Sequence, residues 1–264
     1  MTPRVAIVVS PGTNSEEETQ RALAAAGIAA EIVHWSRAAT LRAYDAYVLP
    51  GGFSYEDRVR AGAVAAHDEA MDAVIAGANA GKFVIGICNG AQTLLEAGLV
   101  PGTGPTRRPT AAFAPNAGGR FQSVRVYVRL AVPPERVPAL AGMAAGAILP
   151  AWASHGEGRL AASPAELETI ERDGHVAFVY CTARGHRVAA PNGSALDAAG
   201  LVNRAGNVVA IMPHPERDAW TFMHRAGDPE KAAARGNTQA MLAPSGGMIF
   251  FAAFAAGLGV GSHR

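Results

Sequence analysis

The stretch Lys82-Phe-Val-Ile-Gly-Ile-Cys-Asn-Gly-Ala-Gln92 decides the fold. Its first half is a continuous apolar run, which is typical of a strand buried on both faces of a parallel sheet. Its second half begins a helical pattern, and Gly86 and Gly90 flank Cys88 two positions away on either side. Small flanking residues allow a nucleophile to occupy a tight strand-to-helix turn, beside the positive end of the helix dipole. Cys88 is therefore predicted to be a nucleophile in its thiolate form, rather than a small buried apolar residue.

Strand and helix patterns alternate on both sides of this stretch. The predicted strands cover residues 5–9, 30–34, 44–49 and 83–87. The predicted helices cover residues 16–26, 60–80 and 89–97. This alternation indicates an α/β fold built on a parallel sheet with right-handed crossovers.

The pattern changes after residue 100. Residues 103–119 are rich in Pro, Gly, Thr and Arg and predict a loop, whereas residues 120–130 alternate and predict an exposed antiparallel strand. Further strands are predicted at residues 148–153, 176–180 and 208–212, and a closing helix at residues 248–258. We therefore expect a mostly parallel sheet that becomes mixed and is flanked by helices. The expected organisation is a single domain over residues 1–264, with a possible inserted loop at residues 223–245.

The composition excludes several classes of function. The chain has 264 residues, with 23 Lys and Arg against 22 Asp and Glu. This near-balance argues against a strongly basic nucleic-acid-binding protein. There is no apolar run long enough for a membrane span and no secretory signal, and two cysteines do not make a disulfide framework. We expect a cytoplasmic protein with no metal site, because neither cysteine has a partner at ligand spacing.

A second segment, Met212-Pro-His-Pro-Glu-Arg217, supplies a candidate base. It follows the predicted strand at residues 208–212, and the two prolines stiffen the backbone around His214. In an extended segment, residues two positions apart point the same way, so Glu216 can orient the imidazole as the acidic member of a triad does. Without Cys88, a turn histidine beside a solvated glutamate would be the better interpretation.

A third strand end carries Pro50-Gly-Gly-Phe53. Consecutive glycines let backbone N–H groups point into a cleft, as in an oxyanion hole. In a parallel α/β sheet the carboxyl ends of the strands form the ligand crevice, so these three segments are expected to converge. Two other segments are less decisive: residues 154–158 bind substrate or close a loop, and residues 52–58 have the composition of an interface.

These motifs resemble the class I, triad-type glutamine amidotransferases. Within that family, the chain is similar to the glutaminase subunits of phosphoribosylformylglycinamidine synthase, from purine biosynthesis. The finer resemblance rests on Pro50-Gly-Gly-Phe-Ser-Tyr55, Arg60-Ala-Gly-Ala63, Ile87-Cys-Asn-Gly90, His155-Gly-Glu-Gly158, Asn192-Gly-Ser194 and Pro213-His-Pro-Glu-Arg217. It covers roughly residues 3–221 and resumes near Ser245.

The resemblance implies a flavodoxin-like α/β fold and a Cys-His-Glu triad. Cys88 would attack the side-chain carboxamide of L-glutamine, His214 would move protons, and Glu216 would orient His214. The implied products are glutamate and ammonia, with a γ-glutamyl thioester as the intermediate.

The resemblance also implies further site residues and partners. The backbone N–H groups of Gly52 and Asn89 would hold the oxyanion, and Gln92 and His155 would bind substrate. Ammonia would pass to an ATP-dependent synthetase subunit that converts formylglycinamide ribonucleotide to its amidine, and a small third subunit would bridge the two. ATP and Mg²⁺ would belong to the synthetase partner, with no cofactor in this chain.

The chain departs from the family pattern at a few positions. Glu56 stands where relatives usually have Gly, Ala91 replaces an aromatic residue, and residues 224–243 have no recognised counterpart. Three alternatives stay open: an amidotransferase that serves another synthetase, a cysteine hydrolase or chaperone-like protein on a similar sheet, and a catalytically dead regulatory subunit.

Overall fold

The computed structural model describes residues 2–260. The strands are β1 (Val5–Val9), β2 (Ala30–His34), β3 (Ala46–Leu49), β4 (Phe83–Ile87), β5 (Ala111–Pro115), β6 (Gln122–Leu130), β7 (Ile148–His155), β8 (Glu157–Ala162), β9 (Val176–Cys181), β10 (Ala198–Val202) and β11 (Val208–Ile211). The helices are α1 (Glu16–Ala25), α2 (Glu69–Asn79), α3 (Asn89–Glu96), α4 (Pro164–Arg172), α5 (Pro229–Ala233), α6 (Thr238–Met241) and α7 (Met248–Gly257).

A nine-stranded mixed sheet forms the centre of the structure, in the order β2-β1-β3-β4-β11-β10-β9-β6-β7. The first five strands in this order pair in parallel, and the remaining pairs are antiparallel. The predicted α/β fold, with a parallel sheet that becomes mixed, is confirmed.

The central parallel strands are apolar because the sheet buries both of their faces. All residues of β3 and β11 are buried, as are the last four of β4. Strand β4 lies between the other two, with Leu49 opposite Gly86 and Ile211 opposite Ile87. The segments that follow these three strands therefore leave the sheet at the same edge.

Strand β7 returns to this edge from the antiparallel half of the structure. Trp152 and His214 exchange backbone hydrogen bonds, at 3.1 Å from the Trp152 N–H and 2.8 Å from the His214 N–H. Strands β5 and β8 form a separate two-stranded sheet. Helix α7 closes the core with Phe250, Phe251 and Phe254, each about 1% exposed.

Two predictions about local structure are wrong. Residues 60–80 do not form one helix, because α2 begins only at Glu69, where the Asp68 side chain accepts a hydrogen bond from the Ala70 N–H at 2.6 Å. Before it, Gly62 has a φ of +78°, and a Cβ there would lie 2.5 Å from the Thr93 backbone nitrogen, so the chain turns at a glycine. The predicted loop at residues 103–119 contains β5, which pairs with β8.

The segment at residues 224–243 contains the two short helices α5 and α6. A buried ionic cluster anchors it: Arg125 contacts Asp218 at 2.6 Å and Asp228 at 3.2 Å, and His224 lies 3.2 Å from Asp218. The segment thus contacts β6 and the turn that follows His214, and its origin as an insertion stays a prediction. Among residues 2–260, no helix is long and apolar enough to cross a membrane.

Candidate active site

Cys88 lies in the turn between β4 and α3, with φ +50° and ψ −106°. Positive φ is rare for residues other than glycine, and such backbone is typical of a strained nucleophile elbow. The flanking glycines are required, since a Cβ on Gly86 would lie 2.7 Å from the Gly90 carbonyl oxygen and one on Gly90 would overlap the Leu49 carbonyl. The structure therefore has the strand-to-helix turn that the sequence predicts.

His214 and Glu216 form a buried pair at the end of β11. The Nδ1 atom of His214 lies 2.5 Å from Glu216 Oε1, and the two side chains are 2% and 0% exposed. Burial alone would lower the pKa of His214, but the Glu216 carboxylate and the Cys88 sulfur outweigh it and raise that pKa to about 9. At neutral pH the imidazole is therefore protonated, with Nε2 free of partners among residues 2–260.

Cys88 and His214 line one cavity of about 150 Å³. Its other lining residues are Asn14, Gly52, Phe53, Phe121, Ser154 and Arg217. The Cys88 Sγ atom lies 3.7 Å from the Ser154 carbonyl oxygen. Ser154 and Arg217 also line a second cavity of about 290 Å³, so the two spaces adjoin.

Three of these lining residues have no catalytic signal in the sequence, and the fourth, Ser154, belongs to the segment at residues 154–158 that either binds substrate or closes a loop. Asn14 reads only as a candidate helix cap, Phe121 as part of a strand, and Ser154 as part of a turn. Arg217 donates to the Ser15 hydroxyl at 2.9 Å, a contact across more than 200 residues of sequence. The proximity of Ser154 to Cys88 depends on β7 returning to the sheet edge, which the strand pattern does not reveal.

Of the two predicted oxyanion donors, Gly52 lies in the segment that follows β3, and Asn89 directly follows Cys88 in the elbow. Gly52 lines the cavity, and a Cβ there would lie 2.6 Å from the Gly12 carbonyl oxygen. Asn89 is the first residue of α3. Within the described part of the chain, neither backbone N–H donates to a backbone carbonyl, and their oxyanion-binding role stays a prediction.

The side chains of Gln92 and His155 do not line the cavity that contains Cys88. Gln92 donates to the Glu157 carbonyl and accepts from Asn89 Nδ2 at 2.9 Å. His155 is 3% exposed, with Nδ1 3.2 Å from Asn116 Oδ1. Burial, followed by the charge on His214, lowers the pKa of His155 to about 4, so its ring is neutral. Their substrate-binding role stays a prediction.

Comparison with known proteins gives consistent matches. A model for the CobB/CobQ-like glutamine amidotransferase domain matches residues 2–244. The phosphoribosylformylglycinamidine synthase subunit PurQ of Symbiobacterium thermophilum is 44% identical over 217 residues, which are 81% of this chain and 87% of that protein. The same subunit of Thermus thermophilus is 43% identical over 214 residues, 81% and 89% of the two chains.

The structure of PurLQS from Thermotoga maritima contains a chain with the same fold. Its TM-score is 0.72 at 28% sequence identity, and the alignment covers 97% of this chain and 99% of that one. The likeness therefore extends over nearly the whole chain. Together with the identity to two PurQ subunits, it means that this chain belongs to the CobB/CobQ-like glutamine amidotransferase family and, within it, to the PurQ group.

Proposed function

We propose that this chain is the glutaminase subunit of a phosphoribosylformylglycinamidine synthase, with Cys88, His214 and Glu216 as its triad. One observation carries the proposal: a cysteine on a strained strand-to-helix turn shares a cavity with a buried histidine whose other nitrogen is held by a carboxylate. Nucleophile, base and orienting acid are the parts that acyl transfer requires.

In the proposed reaction, the Cys88 thiolate attacks the side-chain carboxamide carbon of glutamine. A C–S bond forms and the carbonyl electron pair moves to oxygen, which accepts hydrogen bonds from the N–H groups of Gly52 and Asn89. His214, protonated at neutral pH, gives the Nε2 proton to the leaving nitrogen, the C–N bond breaks and ammonia departs. Neutral His214 then takes a proton from water, whose oxygen attacks the thioester and releases glutamate and the thiolate.

We further propose that this chain works with partners that supply the rest of the synthesis. The relatives are named as synthase subunits, and the Thermotoga maritima protein is a PurLQS assembly. Ammonia would go to an ATP-dependent synthetase subunit, with a small bridging subunit and with ATP and Mg²⁺ on the synthetase. Phe53 and Phe121 are 47% and 54% exposed at the cavity, which supports contact with a partner there.

The reducing cytoplasm is the proposed site of action, because it would preserve a free catalytic thiolate. Both cysteines of the chain are free. The whole chain, residues 1–264, is proposed to act as one amidotransferase domain. The support is that β4, which leads to Cys88, and β11, which leads to His214, are neighbours in the same nine-stranded sheet.

The experiment is labelling with a glutamine-like diazoketone, followed by intact-mass analysis and peptide mapping. The diazo carbon takes up a proton, and the thiolate then displaces nitrogen gas and forms one thioether, so we expect one adduct on Cys88 that excess glutamine prevents. Cys181 is the internal control, because it is also buried and free but lacks flanking glycines. Labelling of Cys181 instead, or labelling that glutamine does not slow, would contradict the proposal.

A companion experiment separates an active glutaminase from a dead regulatory subunit. Cys88→Ala should abolish glutamine-dependent synthesis in the assembled complex while synthesis from added ammonia continues. Retention of glutamine-dependent synthesis would show that Cys88 is not the nucleophile.

A further inference from the structure

The segment that follows Gly52 has an unusual backbone. Tyr55, Glu56 and Asp57 are consecutive, none is glycine, and their φ angles are +53°, +59° and +52°. Isolated residues of this kind are uncommon, and they persist where the surrounding structure holds them. Something other than local preference must therefore fix this segment beside the cavity.

The side chain of Asn89 supplies part of that support. Its Oδ1 accepts from the Ser54 N–H at 2.9 Å, and its Nδ2 donates to Asp57 Oδ1 at 3.1 Å. Nδ2 also donates to Gln92 Oε1 at 2.9 Å. Asn89 is 3% exposed, so these contacts use the amide fully and water has little access to it.

Asp57 and the Ser54 N–H select the same orientation of this amide. An ionised carboxylate only accepts hydrogen bonds, so it selects the NH₂ side of Asn89 and leaves Oδ1 for the Ser54 N–H. That second bond ties the segment after Gly52 to the turn that carries Cys88. This bond joins the segment at residues 52–54 to the turn at residues 88–89. Each of these segments carries one of the two proposed oxyanion donors, the backbone N–H of Gly52 and that of Asn89.

We propose that Asp57 is a positioning residue for glutamine hydrolysis: its carboxylate orients the Asn89 side chain, which fixes the distance between the two oxyanion donors. This inference rests on the proposed function. Asp57 touches no reacting atom in it and acts only through Asn89.

The charges around Asp57 support a specific role for its carboxylate. Burial, and then the negative charge of Glu157, raise the pKa of Asp57 to about 6, while the hydrogen bond from Asn89 opposes the rise. Glu157 accepts from the Ala61 N–H at 3.3 Å, and Arg60 is paired with Glu96 at 2.6 Å, so no arginine of this cluster neutralises Asp57 directly. The Asp57 carboxylate therefore lies where burial and the charge of Glu157 both disfavour its ionised form.

The first test compares Asp57→Ala with Glu56→Ala in the assembled synthase. The two positions share a left-handed backbone, but among residues 2–260 the one side-chain partner of the Glu56 carboxylate is exposed Arg58. We expect Asp57→Ala to lower kcat for glutamine hydrolysis by about 10- to 100-fold with little change in KM, because misplaced oxyanion donors weaken only the transition state. Glu56→Ala should stay within about 2-fold of the wild type.

The second test probes the oxyanion directly with glutamate γ-semialdehyde. The Cys88 thiolate adds to the aldehyde carbon and forms a hemithioacetal. The former carbonyl oxygen then occupies the oxyanion position and takes up a proton from the solvent. Asp57→Ala should raise the inhibition constant by the same factor that it lowers kcat. Alkylation of Cys88 by iodoacetamide, which needs no oxyanion donors, should keep its rate.

Equal kinetics for the two alanine variants would overturn the inference, and so would a parallel loss of iodoacetamide reactivity, which indicates a general distortion. A wild-type complex that hydrolyses no glutamine would instead refute the proposed function.

If Asp57→Ala does not fold, Asp57→Asn decides the question. A neutral side chain at position 57 accepts a weaker hydrogen bond from Asn89 than an ionised carboxylate does. Because the pKa of Asp57 is about 6, the wild type carries the ionised carboxylate at about pH 8 and the neutral acid at about pH 5. The ratio of wild-type to Asp57→Asn activity should therefore fall from about 3 at about pH 8 to about 1 at about pH 5. A constant ratio would overturn the inference.

Discussion

Replacing Gly51 by alanine should displace His214, the proposed base, while leaving all three residues of the proposed triad unchanged in identity. A Cβ at this position would lie about 1 Å closer to His214 Cε1 than ordinary van der Waals contact allows. His214 is 1% exposed and its backbone is fixed to Trp152, so the ring has little space to retreat. A misplacement of about 1 Å at a reacting group costs roughly 10²-fold in rate. We therefore expect kcat/KM for glutamine hydrolysis to fall by about 10²-fold.

The assay is steady-state glutaminase activity in the assembled complex, with Gly227→Ala as the matched control. Gly227 has no heavy atom within 4 Å of an added Cβ, so the same substitution there should leave the rate unchanged. Thermal unfolding of both variants separates displacement from loss of fold. Wild-type activity in a folded Gly51→Ala variant would refute the reasoning, because it would mean that His214 does not need its observed position.

Further predictions concern the triad and the buried ionic cluster. Glu216→Gln should lower the pKa of His214 from about 9, because the Glu216 charge raises it, and the alkaline limit of kcat/KM should move to lower pH. An unchanged pH profile would remove Glu216 from the triad. Arg125→Met should reduce the free energy of unfolding by about 3–5 kcal/mol in urea titrations, because Asp218 is 0% exposed and would lose its guanidinium partner. Arg21→Met, in an exposed pair, should cost less than about 1 kcal/mol, and equal losses would show that burial does not set the cost.

The residues proposed to carry the chemistry could be singled out in the sequence because their signals are local. The elbow needs Gly86 and Gly90 within two positions of Cys88, and the orienting carboxylate lies two positions from His214. Parallel strands then bring these segments together without any information beyond strand order. Strands β1, β2 and β4 have the predicted bounds, and β1 and β4 are continuous apolar runs.

The remainder depends on contacts that are distant in sequence. Arg217 reaches Ser15, and Ser154 lies near Cys88 only because β7 crosses back to His214. The position of Gly62 illustrates the same point: the helical pattern continues through it, but its close approach to Thr93 redirects the chain. Periodicity reports which side chains are buried, and it does not report what another segment requires of the backbone.

The place of β11 in the sheet has a consequence for how the protein is made. This strand lies between β4 and β10, although it is the last strand in the described sequence. While the ribosome synthesises residues 88–207, the nascent chain has its cysteine but neither the histidine nor the strand that completes the sheet. Such a chain has an open β4 edge that is prone to association with other strands, which is a reason to expect help from chaperones. It also cannot consume glutamine, so hydrolysis begins only after the base has emerged and the sheet has closed around it.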